Sequence, residues 1–540
     1  DYLFGERVVD TTYEQVLLSA FATGDLFELP SGPVSLVVGA EFRNDKIATN
    51  PNATASNGLF FGFFRDLGTN GSKHIFEGFA ELDVPLFDDD FWGDFDLNLS
   101  GRVTEEEFYG TAGTYSIKAG WRPVEQVLLK ASYGTSFRAP NLRENFLGGI
   151  TGFTSVTDPC AVPSAAFQAL ASGDPGDPDY RPAGYQADLD TREQSVLDIC
   201  VREGRDPTSV GINPGGTNTV QGASIEVANV GTLDLDPETS RSFTTGISVT
   251  DRFGAFDYSF NFNYYSIIVE DSIAELSAAF TVNECYFDDD NTRSVYCDQI
   301  EYAPGGRQLI SQAFPQFLNQ DKETVKGIDI NANFGYDINL GNDVIELGLN
   351  LQANHLIERS TLFLIDPDNP DFDDATGEFG FPTWTGRAIG TIGYKDLTLT
   401  WQTRWIGRTE QDQDGIDELA DAFARSPDGS PADFRGDTCY GNGSGTYDEA
   451  TGVFTPDGVV PGDGIFCRDV GFADDYFVHT VSLRYNLSDT LVLRAGINNV
   501  FDTSPPQVDG NEIFSVSNIP IGNGYDLNGR EYFGSVSFRF

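Results

Sequence analysis

Residues 95 to 104 alternate without a break: Phe95, Leu97, Leu99, Gly101 and Val103 fall on one side, and Asp96, Asn98, Ser100, Arg102 and Thr104 on the other. A period of two is that of a β-strand with one apolar and one polar face. Residues 256 to 264 repeat it, with Phe256, Tyr258, Phe260, Phe262 and Tyr264 against Asp257, Ser259, Asn261 and Asn263. Residues 328 to 336 do so again, with Ile328, Ile330, Ala332, Phe334 and Tyr336 opposing Asp329, Asn331, Asn333 and Gly335. The pattern predicts about 15 strands, near 13–28, 32–47, 74–86, 94–108, 113–122, 126–139, 239–250, 255–269, 323–336, 343–358, 383–394, 397–409, 476–486, 490–501 and 531–540.

The connections sort by length. Leu29-Pro30-Ser31-Gly32, Arg122-Pro123-Val124-Glu125, Asp251-Arg252-Phe253-Gly254, Tyr394-Lys395-Asp396 and Asn486-Leu487-Ser488-Asp489 are tight, whereas 140–238, 270–322, 359–382, 410–475 and 502–530 are long. Tight turns on one rim and long loops on the other describe an all-β, transmembrane antiparallel β-barrel of the outer-membrane type. A soluble β-sandwich has no reason to sort loops by parity. No apolar stretch approaches the roughly 20 residues that a membrane helix needs. With the last strand running inward, every long loop is extracellular. The first strand then also runs inward, so the strand count is odd. Bacterial barrels are even and closed, which predicts strands upstream of residue 1 and an open wall whose first and last strands do not pair. The absence of methionine and of an export signal agrees with a piece of a longer product. Short helical patterns at 161–204 and 415–426 are read as ornaments of the long loops.

The six cysteines form sequence-local pairs, Cys160 with Cys200, Cys285 with Cys297 and Cys439 with Cys467. Disulfides in extracellular loops that have no core of their own are expected, which implies an oxidising compartment. Zinc competes poorly, because there is no C-x-x-C and only three scattered histidines, His74, His355 and His479. Lys and Arg number 33 against 83 Asp and Glu, a formal charge of −50. Such a balance excludes nucleic acid as a partner. It reads either as solubility of large loops or as divalent-cation binding. The candidates for cation binding are the runs Asp288-Asp289-Asp290 and Asp366 to Asp374, with Asp366, Asp368, Asp371 and Asp373 as ligands. No cofactor beyond Ca²⁺ in these loops is expected.

Three segments go further than periodicity. The segment Trp121 to Asn141, containing Ser136-Phe137-Arg138-Ala139-Pro140, resembles the mid-barrel strand-turn-strand of TonB-dependent receptors. Leu493-Arg494-Ala495-Gly496-Ile497-Asn498-Asn499-Val500-Phe501-Asp502, followed by Pro505-Pro506, resembles the penultimate strand of that family. Tyr525 to Phe540 resembles its last strand, with the terminal aromatic. The resemblance implies a barrel of about 22 strands around a plugged lumen, of which these residues form the C-terminal two thirds, with neither plug nor energy-coupling box. It also implies residence in the outer membrane of a Gram-negative bacterium and uptake of a scarce nutrient, coupled through TonB. The partners implied are the TonB energy-coupling complex, outer-membrane lipid and lipopolysaccharide, a small-molecule nutrient, and the barrel-assembly machinery that reads the end of the last strand.

There is no G-x-S-x-G, no P-loop and no dinucleotide fingerprint, so an enzyme is not expected. The competing readings are a passive porin-like channel and a surface receptor that does not transport. Arg138 is read as either a rim residue or a ligand contact. Aromatics of the long loops, Phe153, Tyr180, Tyr185, Tyr302, Phe363, Phe372, Trp384 and Tyr447, are candidates for stacking on sugars or flat chelates. Acidic loops favour carbohydrates, peptides or cationic complexes over anionic ferric siderophores. In the last strand, Tyr532, Gly534, Val536, Phe538 and Phe540 should face lipid, with Ser535, Ser537 and Arg539 towards the lumen. Tyr532, Phe538 and Phe540 form the assembly signal.

Overall fold

The computed structural model describes residues 5–539 except 62–64, 173, 176–179, 288–292, 305–307, 364–370, 411–438, 441–444, 449–452, 457–465, 468–471, 507, 509–512, 514 and 517–518. Of 223, 320–321, 371, 439–440, 445–448, 453–456, 466–467 and 472 it describes the backbone alone.

Fifteen strands follow one another in chain order through a single antiparallel sheet. They are β1 (Val9–Leu29), β2 (Gly32–Pro51), β3 (Asn70–Asp89), β4 (Gly93–Glu106), β5 (Gly110–Val124), β6 (Val127–Arg138), β7 (Glu238–Phe253), β8 (Phe256–Glu275), β9 (Phe317–Leu340), β10 (Asp343–Phe363), β11 (Trp384–Tyr394), β12 (Leu397–Ile406), β13 (Tyr476–Ser488), β14 (Leu491–Asn498) and β15 (Glu531–Phe538). A short strand, Asp371–Asp374, pairs with the loop end of β10. Among the described residues β1 pairs only with β2, and β15 only with β14, so the wall has two edges that are not bonded to each other.

Register explains why the two faces persist around the wall. Phe256 lies opposite Tyr336, which lies opposite Leu347, and the row continues through Ile392, Leu399 and Leu483. One slip of a single residue would turn an apolar face inward. The polar counterpart runs Asn261, Asn331, Gln352, Arg387 and Arg404. In the last pair, Leu493 opposes Val536 and Leu491 opposes Phe538. Tyr532, Val536 and Phe538 are exposed on the apolar face, and Arg494 of the polar face lies 5.5 Å from the Phe533 ring. Phe540 lies outside the described residues.

Connections at 30–31, 90–92, 125–126, 254–255, 341–342, 395–396 and 489–490 share one rim. Positive φ at Gly254, Gly341 and Lys395 turns the chain there within two residues. On the opposite rim the connections are long, apart from 107–109. There β8 and β9 extend to Glu275 and from Phe317, six residues beyond the predicted ends at 269 and 323. Glu270, Ser272 and Asn319 continue the ladder, but above the lipid neither face needs to be apolar, so the alternation fades.

The long loops 139–237 and 276–316 are not coreless clips, contrary to expectation. They fold together into one module. Its four-stranded sheet orders Ile300–Tyr302, Ile310–Ala313, Gly222–Asn229 and Ile150–Thr157. Val156, Val196, Ile199, Val210, Ile225, Val282, Tyr286, Ile300 and Ile310 bury a shared apolar core. Neither loop holds enough of these residues to show a period alone, because the core is assembled from both. Disulfides Cys160–Cys200 and Cys285–Cys297 lie in that core, with Cα separations of 5.8 and 4.8 Å. Cys439 and Cys467 are backbone partners across a short ladder, and their side chains lie outside the described residues. The predicted helical segment 161–204 contains the helix Gln194–Arg202, and 415–426 lies outside the described residues.

Candidate functional site

The polar face of β1 to β4 becomes densely charged towards the loop rim. Asp45 accepts hydrogen bonds from Tyr13 Oη at 3.0 Å and Gln15 Nε2 at 2.7 Å, and Arg43 Nε lies 3.0 Å from its other oxygen. Register puts Lys73 opposite Asp45 and Thr104 opposite Glu77. Lys73 Nζ sits 3.5 Å from Glu106, with both side chains buried, and donates to the Pro140 carbonyl. Glu77 accepts from Thr104 at 2.8 Å and pairs with Arg102 at 3.2 Å.

Among the described residues, the buried Tyr109 Oη here has neither a hydrogen-bond nor an ion-pair partner, whereas Glu106 Oε1 and Arg43 Nε are held by ion pairs, with Lys73 at 3.5 Å and Asp45 at 3.0 Å. Burial, with the Glu106 and Glu77 carboxylates nearby, pushes the Tyr109 hydroxyl up to about 12. Tyr109 therefore stays protonated, a donor without an acceptor. Leaving such a group unpaired costs about 1–3 kcal/mol, which a polar solute could recover. A cavity of about 700 Å³ is lined by Arg43, Asp45, Lys73, Glu77, Arg102 and the segment Ser136 to Arg143, in which the Phe137 ring lies 6.2 Å from that of Tyr109.

That segment is the cavity's fixed lip. Asn141 caps the helix Leu142–Phe146 through a reciprocal capping box with Glu144. Arg138 binds Glu144 at 3.0 Å and Glu238 at 2.6 and 2.7 Å, tying β6 to β7. Its Nε, Nη1 and Nη2 are thus all engaged, so Arg138 lines the cavity as a clamp with its donors committed.

The module above is centred on Arg205, whose side chain is 2% exposed. The guanidinium pairs with Asp158, equally buried, and donates to Tyr286 Oη and to the Gln308 carbonyl, both at 2.8 Å. It also lies 4.5 Å from the Tyr302 ring centre. Asp158 and Arg205 belong to one loop, and Tyr286, Tyr302 and Gln308 to the other.

The family model described as TonB dependent receptor-like, beta-barrel, matches residues 1–500. The chain belongs to that family. It is also similar to a solved variant of the ferric enterobactin receptor of Pseudomonas aeruginosa in complex with enterobactin, at 15% identity and a TM-score of 0.51, covering 98% of this chain and 55% of that one. The siderophore receptor PirA of Acinetobacter baumannii matches at 14% identity and a TM-score of 0.50, with 98% and 55% covered. The chain therefore spans little more than half the length of these solved receptors. As a TonB-dependent receptor barrel it resides in the outer membrane of Gram-negative bacteria. No helix among the described residues is long and apolar enough to cross a membrane, and the strands do so instead.

On this receptor barrel the sequence candidates scatter. Tyr302 joins the Arg205 hub, and its hydroxyl bonds that of Tyr286 at 2.8 Å. Tyr185 donates to Asp190 at 2.7 Å. Tyr180 is half-buried and Phe153 exposed in the same module, while Phe363 is half-buried at the loop end of β10 and Phe372 is exposed beside it. Trp384 lies elsewhere. Its ring stacks on His355 at 4.3 Å and faces Trp405 at 6.1 Å, on the apolar outer face, as an interfacial aromatic belt requires. It is a membrane anchor rather than a lumen contact. The reason is parity, since Trp384 shares a face with Ile392 and Tyr394. Tyr447, Asp371 and the pair Asp366 and Asp368 have side chains outside the described residues, and Asp373 is exposed. Among the described residues no group of three or more His, Cys, Asp or Glu side chains gathers around a metal position.

Sequence reasoning missed Lys73, Glu106, Tyr109 and Arg205. A signal existed for Glu106, which follows Arg102 and Thr104 on the polar face of β4. For Arg205 there was none.

Within the module, hydrogen bonds from Arg192, joined by the Tyr185 hydroxyl, hold the Asp190 carboxyl down to about 2. Arg192 also donates to the carbonyls of Cys160 and Pro207. A depressed carboxylate stabilises above its unfolded pKa, near 4, and that contribution disappears as pH falls through about 2. Pepsin cleavage within 160–210 should therefore stay slow from pH 5 to 4 and accelerate between 4 and 2. Onset already at pH 5 would contradict the assignment.

Proposed function

We propose that this chain forms the wall and part of the mouth of a receptor that takes up a scarce small-molecule nutrient, with energy supplied through the TonB complex. The observation that carries the reading is the cavity under the fixed lip, walled by Arg43, Asp45, Lys73, Glu77 and Arg102, with the unpartnered Tyr109 hydroxyl carried on a ring 6.2 Å from that of the lining residue Phe137. A ligand offering both donors and acceptors, such as a carbohydrate, a peptide or a metal chelate, complements such a wall. The paired charges would orient the solute, and the chain would act as a transporter, not as an enzyme. Assembly would run through the exposed aromatics of β15, Tyr532 and Phe538, read by the barrel-assembly machinery.

Accumulation of labelled candidate nutrients in cells with and without the full-length receptor tests this. Uptake should be saturable and vanish when TonB is removed. Flux that persists without TonB and never saturates would replace this reading with a passive channel, and binding without accumulation would replace it with a surface receptor.

A further inference from the structure

The chain carries 33 Lys and Arg against 83 Asp and Glu, yet the wall of the cavity inverts that balance. Arg43, Lys73, Arg102, Arg138 and Arg143 line it, and the only acids that do so are Asp45 and Glu77. The other carboxylates that pair with these cations, Glu106, Glu144, Glu238 and Glu275, lie outside the lining. The wall therefore presents mainly N–H groups.

Two of these cations keep donors free. Arg43 meets Asp45 through Nε, and its Nη1 and Nη2 have no hydrogen-bond partner among the described residues. Arg102 donates to Glu77 through Nη1, which leaves Nε and Nη2 equally free, with the guanidinium 5.1 Å from the Phe79 ring centre. Each fork sits beside a carboxylate that can still accept. Asp45 Oδ1 is filled by Tyr13 and Gln15, but Oδ2 meets only Arg43. Glu77 takes one donor on each oxygen, from Thr104 and Arg102. A carboxylate oxygen has two lone pairs, so both acids keep room for a hydroxyl. Register sets the spacing of the two patches. Arg43 lies opposite Ile75, and Ile75 opposite Glu106, so Arg102, further down β4, is offset by roughly 10 Å across the wall and 13 Å along it.

We propose that the cavity selects a short acidic oligosaccharide, its carboxylates on the free forks of Arg43 and Arg102 and its hydroxyls on Asp45 and Glu77. This assignment rests on the uptake reading. A carboxylate matches the planar fork of a guanidinium, and in an acidic sugar hydroxyl donors flank that carboxylate, as each patch requires. Tyr13, exposed on the lumen face beside the Arg43 patch, offers its ring to the apolar face of a sugar. The patches stand wider apart than one sugar ring, so more than one residue is needed. An anionic metal chelate presents acceptors alone, which Asp45 and Glu77 would repel. A neutral sugar leaves the forks unfilled, and an acidic peptide lacks hydroxyls beside its carboxylates.

The test measures equilibrium binding of oligouronates, their methyl esters, an acidic peptide and a ferric tris-catecholate to the purified full-length receptor. Oligouronates should bind, and esterification, which removes the charge and keeps the hydroxyls, should weaken them roughly 10- to 100-fold. Arg102→Lys keeps the ion pair with Glu77 but loses the fork, and should cost about ten-fold, with heat-modifiable gel migration as the check on folding. If it does not fold, Arg43→Lys should show the same loss. Arg387→Lys, on the polar face of β11, should leave the affinity unchanged. Absence of oligouronate binding, equal binding of acid and ester, or tighter binding of the peptide or the catecholate overturns the assignment. Saturable, TonB-dependent uptake of one of those other solutes would at the same time leave the uptake reading standing.

Discussion

Replacing Arg205 with alanine should open the loop module while leaving the barrel wall folded. The guanidinium is the only cation paired with Asp158 among the described residues, and both side chains are 2% exposed. Removing it leaves a buried carboxylate unpaired, a loss of about 3–5 kcal/mol. It also strips Tyr286 Oη and the Gln308 carbonyl of a donor. Because those partners come from the other loop, the loss separates two loops rather than loosening one. Hydrogen exchange should show amides of Ile150–Thr157, Gly222–Asn229 and Ile310–Ala313 losing protection together, while β7 to β10 keep theirs. Disulfides Cys160–Cys200 and Cys285–Cys297 each close a segment within one loop, so they cannot hold the two loops together in its place. Unchanged protection of the three module strands would show that the apolar core alone suffices.

The second large effect distinguishes the two faces of one strand. Leu351 opposes Ala332 on β9 and Ala388 on β11, about halfway along the apolar band. Leu351→Arg should destabilise the lipid-inserted barrel by about 2–4 kcal/mol. Its neighbour Asn350 points the other way and hydrogen-bonds Asn333 on the polar face. Asn350→Arg exchanges one polar lumen group for another and should cost about 1 kcal/mol or less. Urea titration of the full-length receptor in vesicles measures both. Equal destabilisation by the two substitutions would mean that the assignment of faces is wrong.

The wall was legible because lipid imposes a rule on every strand separately. Each strand needs one apolar face, as at Phe256, Phe260 and Tyr264, and each pair needs either a tight turn or a loop. Strand ends were less legible, as at Glu275 and Phe317, because the rule lapses above the bilayer. The candidate site was hardly legible at all. Lys73 meets Glu106 only through the register of β3 with β4, and it meets the Pro140 carbonyl only because the segment after β6 folds back over the wall. Among the aromatics, the sequence could not separate Trp384, at the very start of its strand, from true loop residues such as Tyr302.

The sequence by itself therefore determined the fifteen strands, their inner and outer faces, the gathering of the long loops on one rim and, through its motifs, the resemblance to TonB-dependent receptors. Those are properties of period two and of loop length, which short windows carry. The tertiary structure decided what the loops do. Asp158 and Arg205 precede Tyr286, Tyr302 and Gln308 by β7 and β8, two complete passes through the membrane, and no local pattern links them. They converge because β7 and β8 form an adjacent hairpin that returns the second loop beside the first, where neither could bury its apolar residues or pair its buried charge alone.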